Sequence, residues 1–211
     1  MKKKERLLFT MKDSKTVSLF INSATKALEF ALCVGNEYQT IDMGDPKKAL
    51  ERSHLGIQSL LDDHKITLKD VDNFYCLLGP GSNTGIRLGL TIAKTVYALN
   101  DKVKLFGIPT MDLMTIAGDN AVLSDRSANL FYAHKEQETV CFEKVNKADI
   151  EAKITADTIV VEKKDVKAKE ALSSRLLKEI DIVEMMVMHQ DSFIDFSERN
   201  EEFLPEYLSK I

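Results

Sequence analysis

Leu77-Leu78-Gly79-Pro80-Gly81-Ser82-Asn83-Thr84-Gly85-Ile86-Arg87-Leu88-Gly89-Leu90 is the stretch on which the reading of this chain turns. An apolar run over 71–78, with the look of a buried strand, enters Gly-Pro-Gly. Glycine reaches positive φ and proline fixes φ, so the chain turns tightly there. Ser82 or Thr84 then stands where a helix N-cap belongs, and the helix it opens extends over 84–100. Placed at about 100° steps from Gly85, Arg87, Thr91, Lys94 and Thr95 share one sector. Ile86, Leu88, Leu90, Ile92, Val96, Tyr97 and Leu99 fill most of the remainder. That apolar arc is about twice the ~100° stripe of a surface helix. Gly85, Gly89 and Ala93 recur every fourth residue in the middle of the arc and predict a groove where another backbone approaches closely. An interior glycine costs about 1 kcal/mol against alanine, so close packing is the expected compensation. One side of such a helix belongs to the chain's own sheet. Whether the rest of the chain or another molecule covers the second side is left open by residue type alone.

The 211 residues suit one or two small domains able to bury a core. A charged fraction of 29% and a net charge of −4 argue against intrinsic nucleic-acid binding, which needs clustered Lys and Arg. They leave room for a subunit whose partner holds the nucleic acid. Cys33, Cys76 and Cys141 are odd in number and widely spaced, so they suggest neither a zinc site nor a disulfide framework. They read as buried thiols in a reducing cytoplasm. The basic start at Met1 to Arg6 is followed only by Leu7-Leu8-Phe9, too short a core for a signal peptide. No apolar run approaches a membrane span, and no membrane partner is expected.

Read in order, residues 1–15 are Lys-rich without period and are expected to be a disordered lead-in. Strands are predicted over 16–22, 27–34 and 38–43, joined as an antiparallel meander with a turn at Gly35-Asn36. Gly44-Asp45-Pro46 breaks the chain, and Pro46 suits the first turn of a helix over 47–64. Leu50, His54, Ile57, Leu61 and His64 make the apolar face of that helix. His54 is a candidate ligand or base, or simply a packed or interface residue. The 71–78 strand, the 84–100 helix, a strand over 103–108 and a helix over 111–117 capped by Thr110 complete a first lobe over 16–109 and begin the next. The order is β-β-β-α-β-α-β-α. A smaller, looser α/β lobe over 110–211 is predicted to hold paired strands at 129–133 and 139–143 and a short helix over 147–153. A strand over 158–161, a charged helix over 165–180 and a strand over 182–188 follow. The charge run 162–170 reads as a solvated face, and the tail 190–211 as docked by Phe193, Phe196, Phe203 and Tyr207.

No assembled chemistry is visible. His54, His64, His134 and His189 form no HExxH or HxxxH set. The glycine stretch lacks the Lys of a Walker A loop, and its last glycine is one residue too far for a dinucleotide fingerprint. A phosphate at the helix N-terminus remains a weak signal. Ser82 lacks the nucleophile elbow. Neither a catalytic residue nor a metal ligand is assigned.

Gly79-Pro80-Gly81-Ser82-x-Thr84-Gly85-x-Arg87-x-Gly89-Leu90-x3-Lys94 resembles the signature of the TsaB (YeaZ) family, a bacterial subunit for making threonylcarbamoyladenosine on tRNA. Leu19-Phe20-Ile21-Asn22-Ser23-Ala24-Thr25 is similar to that family's opening strand and loop. Ser53-His54 with Leu60-Leu61, Gly107-Ile108-Pro109 and Pro205-Glu206-Tyr207-Leu208 match further pieces. The resemblance covers 17–118 well and the remainder thinly. It implies an α/β, duplicated actin-like/Hsp70-like (ribonuclease H-like) fold with a degenerate second lobe. It also implies a non-catalytic subunit that activates a TsaD-type threonylcarbamoyltransferase in forming N6-threonylcarbamoyladenosine at position 37 of ANN-decoding tRNA. A TsaE-type ATPase would join the complex, tRNA would be met only through it, and the chain alone would form a homodimer. Partner docking falls to Gly85, Leu88, Gly89, Ile92, Ala93, Val96 and Tyr97 of one helix and Leu50, His54 and Ile57 of the other. On this reading Gly89→Leu blocks docking while the fold survives. No cofactor of its own is expected, with ATP or ADP, if bound, at the joint interface. Asn22 stands where the family usually has Asp and Asn83 where it has Phe, and of an Asp-Ala-Arg-x-Gly-Glu pattern mainly Arg126 survives; a neutral amide is a poorer ligand for a hard cation. The competing readings are an actin-like ATPase or small-molecule kinase, on fold analogy, and a peptidase, which has no zinc set or nucleophile motif behind it.

Overall fold

A computed structural model describes residues 2–7, 16–44, 48–100, 102–125, 129–154 and 156–206. Pro46, Arg126, Tyr207 and Leu208 lie outside these residues. The strands form two sheets. β1 (Lys2–Leu7), β2 (Val17–Asn22), β3 (Glu29–Val34), β4 (Glu37–Asp42), β5 (Asn73–Gly79), β6 (Lys104–Pro109) and β12 (Ile194–Asp195) build the first, in the order β1-β4-β3-β2-β5-β6-β12. β7 (Asn120–Ser124), β8 (Asn129–Glu136), β9 (Thr139–Asn146), β10 (Thr158–Glu162) and β11 (Leu176–Ile180) build the second, in the order β11-β10-β7-β8-β9.

The two sheets repeat one plan. In each, an antiparallel three-strand meander is followed by two parallel strands added beside its first strand: β4-β3-β2-β5-β6 and β9-β8-β7-β10-β11. α1 (Ala49–His64), α2 (Asn83–Leu99) and α3 (Thr110–Ile116) occupy the same places in the order as α4 (Ile150–Lys153), α5 (Val166–Ala171) and α6 (Ile182–Met188). The second copy is cut down: α1 and α2 have 16 and 17 residues, α4 and α5 only 4 and 6. This is the duplicated, ribonuclease H-like α/β fold with a reduced second half.

Several expectations need correcting. Residues 2–7 are not a disordered lead-in: β1 pairs antiparallel with β4, Lys2 against Asp42 through Leu7 against Glu37. The stretch 165–180 is not one helix. Its helical part stops at Ala171, and Leu176–Ile180 pairs parallel with Thr158–Glu162, a strand that short apolar alternation in a charged stretch concealed. The run 182–188 is helical, not extended. Asp181 caps it by accepting from Glu184 N at 3.2 Å, a start signal that its apolar run overshadowed. β7, not anticipated, supplies the centre of the second sheet. Thr110 begins α3 rather than capping it; the cap position is Pro109.

The lobes also exchange helices. α3 packs against β7, β8, β9 and β10 of the second sheet as well as β5 and β6, while α6 packs on β2 and β3 of the first. One apolar cluster therefore runs through Met111, Leu113 and Met114 to Leu123 and Phe131 and through Val183, Met186 and Val187 to Leu19 and Phe30. The tail belongs to the first sheet, not to a lobe over 110–211. β12 pairs with β6, Phe193 lies edge-on to Tyr75, and Phe196 and Phe203 are buried.

Candidate functional site

The turn after β5 is held by backbone. Gly79 has φ +116°, and a Cβ there would lie 2.6 Å from the Glu206 carbonyl oxygen. Ser82 N donates to Ala24 O at 2.6 Å, and the Ser82 hydroxyl caps α2 by accepting from Gly85 N at 3.3 Å. From the other side the Ser23 hydroxyl donates to Gly85 O at 2.7 Å. A Cβ on Gly85 would overlap the Ser23 carbonyl outright, and one on Gly89 would come within 3.0 Å of Ser23 Oγ and 3.3 Å of Ile21 Cγ2.

The small-residue edge of α2 is therefore spent inside the molecule. Gly85, Gly89 and Ala93 are buried, Ala93 fully, and they are not available to a partner. The close backbone approach predicted from their spacing is real, but it is made by the chain's own β2–β3 loop. Gly89→Leu would strike Ile21 and Ser23, so it tests the fold rather than docking. Ile57 is 5% exposed and belongs to the core under α1. What remains outside is Leu50, 76% exposed, with exposed His54 on α1 and half-buried Leu88 and Ile92 on α2. Val96 and Tyr97 are half-buried further along, and the Tyr97 hydroxyl donates to Ser197 O at 2.8 Å, which ties it to the tail. Leu55 and Leu99 are exposed as well; a leucine set off the main stripe of its helix is the signal for Leu55.

Leu50 and Leu88 line the same hollow, a cleft of about 1010 Å³ that opens between the two lobes at the start of α2. Ser82, Thr84, Arg87 and Thr91 form its α2 wall, Lys48 and Glu51 the α1 side, Thr25 and Lys26 its floor, and Ser124, Asp125 and Lys167 its second-lobe wall. Four cationic side chains thus face two carboxylates, in a chain whose net charge is −4. Lys26 Nζ donates to Asp125 O at 2.9 Å, and burial holds its ammonium below the usual lysine range against the pull of Asp165. The Asp125 carboxylate pairs with Lys144 at 2.7 Å. The cleft is equipped to hold an anion by charge and hydroxyl contacts.

Behind the cleft lies a buried polar chain that sequence reading did not find. Asn22 Nδ2 donates to Thr25 Oγ1 and to Glu29 Oε2, both at 3.0 Å. Thr25 Oγ1 donates to Glu162 Oε1 at 2.9 Å and Lys26 N to Glu162 Oε2 at 3.3 Å. Lys164 bonds Glu29 and reaches Asp42 at 2.8 Å. Asp165 accepts from Ser124 N and Oγ, both at 2.6 Å. An amide at position 22 is what this surrounding calls for. A second carboxylate there would face Glu29 with no proton to offer, whereas Asn22 donates to it. The run 162–170 is accordingly a solvated face only in part: Lys167 and Glu170 are exposed, but Glu162 and Asp165 are 1% and 0% exposed. Burial, with Glu29 and Asp165 nearby, pushes the Glu162 carboxyl up to about 7 despite its bonds from Thr25 and Lys26.

Comparison with known proteins adds one family match, two curated relatives and two solved structures. Residues 47–148 match the family described as TsaD, tRNA N6-adenosine threonylcarbamoyltransferase. A protein described as the TsaB tRNA threonylcarbamoyladenosine biosynthesis protein of Buchnera aphidicola is 40% identical over 58 residues, 28% of this chain and 27% of that one. An uncharacterized Mycoplasma pneumoniae protein, the MG208 homolog, is 31% identical over 98 residues, 45% of this chain and 50% of that one. The chain thus spans half or less of the curated relatives it matches. In three dimensions it is similar to YeaZ from Pseudomonas aeruginosa, with TM-score 0.66, 14% identity and coverage of 92% of this chain and 100% of that one. A second structure, described as an uncharacterized protein with similarity to peptidase YeaZ from Pseudomonas aeruginosa, gives TM-score 0.67 at 14% identity, covering 92% and 99%.

Proposed function

We propose that the chain belongs to the TsaB (YeaZ) family, which it resembles in its fold and in part of its sequence, and that it is a non-catalytic subunit that binds and activates a TsaD-type threonylcarbamoyltransferase. The product would be N6-threonylcarbamoyladenosine at position 37 of ANN-decoding tRNA, with tRNA reached only through the complex. The observation that carries the docking part is the α1–α2 face, where Leu50 is 76% exposed and faces the same hollow as half-buried Leu88 while the core beneath is filled. Each leucine fully removed from water contributes roughly 1.5–3 kcal/mol, less the cost of immobilisation. The same face serves a homodimer when the chain is alone, in competition with the TsaD-type partner. A TsaE-type ATPase joins the assembled pair, and the cationic cleft beside the face is where ATP or ADP would meet the joint interface.

The test combines light scattering of the chain, alone and with a TsaD-type subunit, with a reconstituted reaction containing the TsaE-type ATPase, threonylcarbamoyl-adenylate and tRNA. A mixed complex and modification that depends on this chain are expected. Equal modification without the chain overturns the proposal. The second reading, an ATPase or small-molecule kinase, draws support from Lys26, Lys48, Arg87 and Lys167 around the cleft. Calorimetry with ATP and Mg²⁺ separates the two, since tight binding by the isolated chain favours the second.

A further inference from the structure

The absence of a metal signature from the histidine spacing does not survive folding of the second sheet. In the β8–β9 hairpin His134 lies directly opposite Cys141. Glu136, two residues beyond His134, is on the same face because strand side chains alternate. Cross-strand partners sit about 4.5–5.5 Å apart at Cβ, so an imidazole, a thiol and a carboxylate converge at the hairpin tip. Their ligand atoms all lie within 4.8 Å of one another, with His134 Nε2 3.0 Å from Glu136 Oε1. The imidazole is positioned from behind. The Tyr132 ring stacks on it at 5.5 Å, and the Tyr132 hydroxyl donates to Asn120 Oδ1 at 2.8 Å. His134 Nδ1 is enclosed and has no hydrogen-bond partner among the described residues, which leave this ring's bonding incomplete. An ordinary His–Glu ion pair accounts for neither that nitrogen nor the thiol. Cys141 is also the half-exposed cysteine, whereas Cys33 and Cys76 are buried.

We propose that His134, Glu136 and Cys141 form a binding site for a Zn²⁺-class divalent cation, bridging β8 and β9 and leaving one coordination position to solvent. One sulfur, one nitrogen and one oxygen donor is a set that suits Zn²⁺ and not Mg²⁺ or Ca²⁺. With Zn–S of about 2.3 Å and Zn–N of about 2.0 Å, tetrahedral donors lie roughly 3.3–3.6 Å apart, a distance that side-chain rotation at an accessible hairpin tip reaches. Binding replaces the S–H bond of Cys141 by S–Zn and releases one proton to solvent, with no change of oxidation state.

The full chain, stripped with EDTA, is titrated with Co²⁺ as a spectroscopic probe and then with Zn²⁺ in competition. The expected result is a thiolate-to-Co²⁺ charge-transfer band that saturates at one ion per chain and disappears on adding Zn²⁺. Cys141→Ser abolishes the band, and His134→Ala or Glu136→Gln weakens Zn²⁺ binding by roughly ten-fold or more. Absence of the band in the native chain overturns the proposal without any variant. So does Zn²⁺ affinity that is unchanged in a folded Cys141→Ser variant, with circular dichroism checking the fold. Because the measurement uses the isolated chain, its failure leaves the docking proposal untouched.

Discussion

The loop after β2 is gripped on two sides, and the two grips differ in kind. Ser23 and Ala24 meet the start of α2 at close range, through glycine: Ser82 N on Ala24 O, Ser23 Oγ on Gly85 O, and no room at Gly85 for one more carbon. One residue further, Thr25 and Lys26 meet the second sheet through side-chain carboxylate: Glu162 accepts from both, and Lys26 reaches on to Asp125 O. The first seam is fixed by volume and is indifferent to protons. The second tolerates small shifts, because hydrogen bonds can be re-paired, but it carries a titratable group in a dry place. A helix that looks too apolar for its surroundings is thus explained twice over, by a seam inside the molecule and by a separate outer face.

The most damaging change breaks the first seam. Gly85→Ala puts a methyl group into the Ser23 carbonyl, which is backbone and cannot swing aside. A loss of about 4 kcal/mol or more is expected, read as collapse of the urea midpoint or as failure to accumulate folded protein. A Gly85→Ala chain as stable as the native one would mean that the helix and loop are not locked together.

The second seam is sharpened by pH. Glu162 titrates near 4.5 when unfolded but at about 7 in the folded chain. The native state therefore keeps a proton that the unfolded chain releases across that window. The stabilisation it brings is full below pH 4.5, is lost as pH rises through about 7, and changes no further above that. Glu162→Gln mimics the protonated form, since its carbonyl can accept from Lys26 N while its amide donates to Thr25 Oγ1. Urea titrations at pH 5 and pH 8 should show the native chain weaker at pH 8 by up to roughly 3 kcal/mol, and the variant nearly level. An identical slope in both chains would place the titrating group elsewhere.

What sequence reading reached follows the same division. β2 to α2 were found to within a few residues because their patterns are long and local, with β-turn, glycine and cap signals at each end. Gly85 and Gly89 were recognised as a close-approach edge, but spacing on one helix left its occupant open, and the resemblance gave to a partner what the chain's own loop fills. Glu162, Asp165 and Lys164 were read as solvated because a charge run carries no mark of its distant partners. Thr25, 137 residues from Glu162, supplies one of them. α5, β11 and α6 were misread where elements of 5–7 residues offer too few turns or alternations to set a period. His134 and Cys141 escaped notice for a related reason: their meeting is set by hairpin register, not by histidine spacing.

A milder strain on the first seam comes from Gly89→Ala. The added methyl meets Ser23 Oγ at 3.0 Å and Ile21 Cγ2 at 3.3 Å, contacts that give only if the Ser23 hydroxyl turns away from Gly85 O. Helix propensity returns about 1 kcal/mol, so the net loss is expected to be about 1 kcal/mol, visible as a fall of a few degrees in Tm. A rise in Tm would show slack between α2 and β2, and would return Gly89 to the list of positions open to substitution.

The smallest effect on the isolated chain is expected on the outer face, and that smallness makes it useful. Leu50 is 76% exposed, so Leu50→Glu should change stability by no more than about 0.5 kcal/mol. Association has the opposite sensitivity, because a carboxylate placed where Leu50 and Leu88 share a hollow would have to be stripped of water beneath a partner. The expected pattern is an unshifted melt together with at least roughly ten-fold weaker binding to the TsaD-type subunit, a cost of about 1.4 kcal/mol, measured by calorimetry on the same preparation. Undiminished binding by Leu50→Glu would remove this face from the docking surface, while both inner seams would stand unaltered, since neither depends on Leu50.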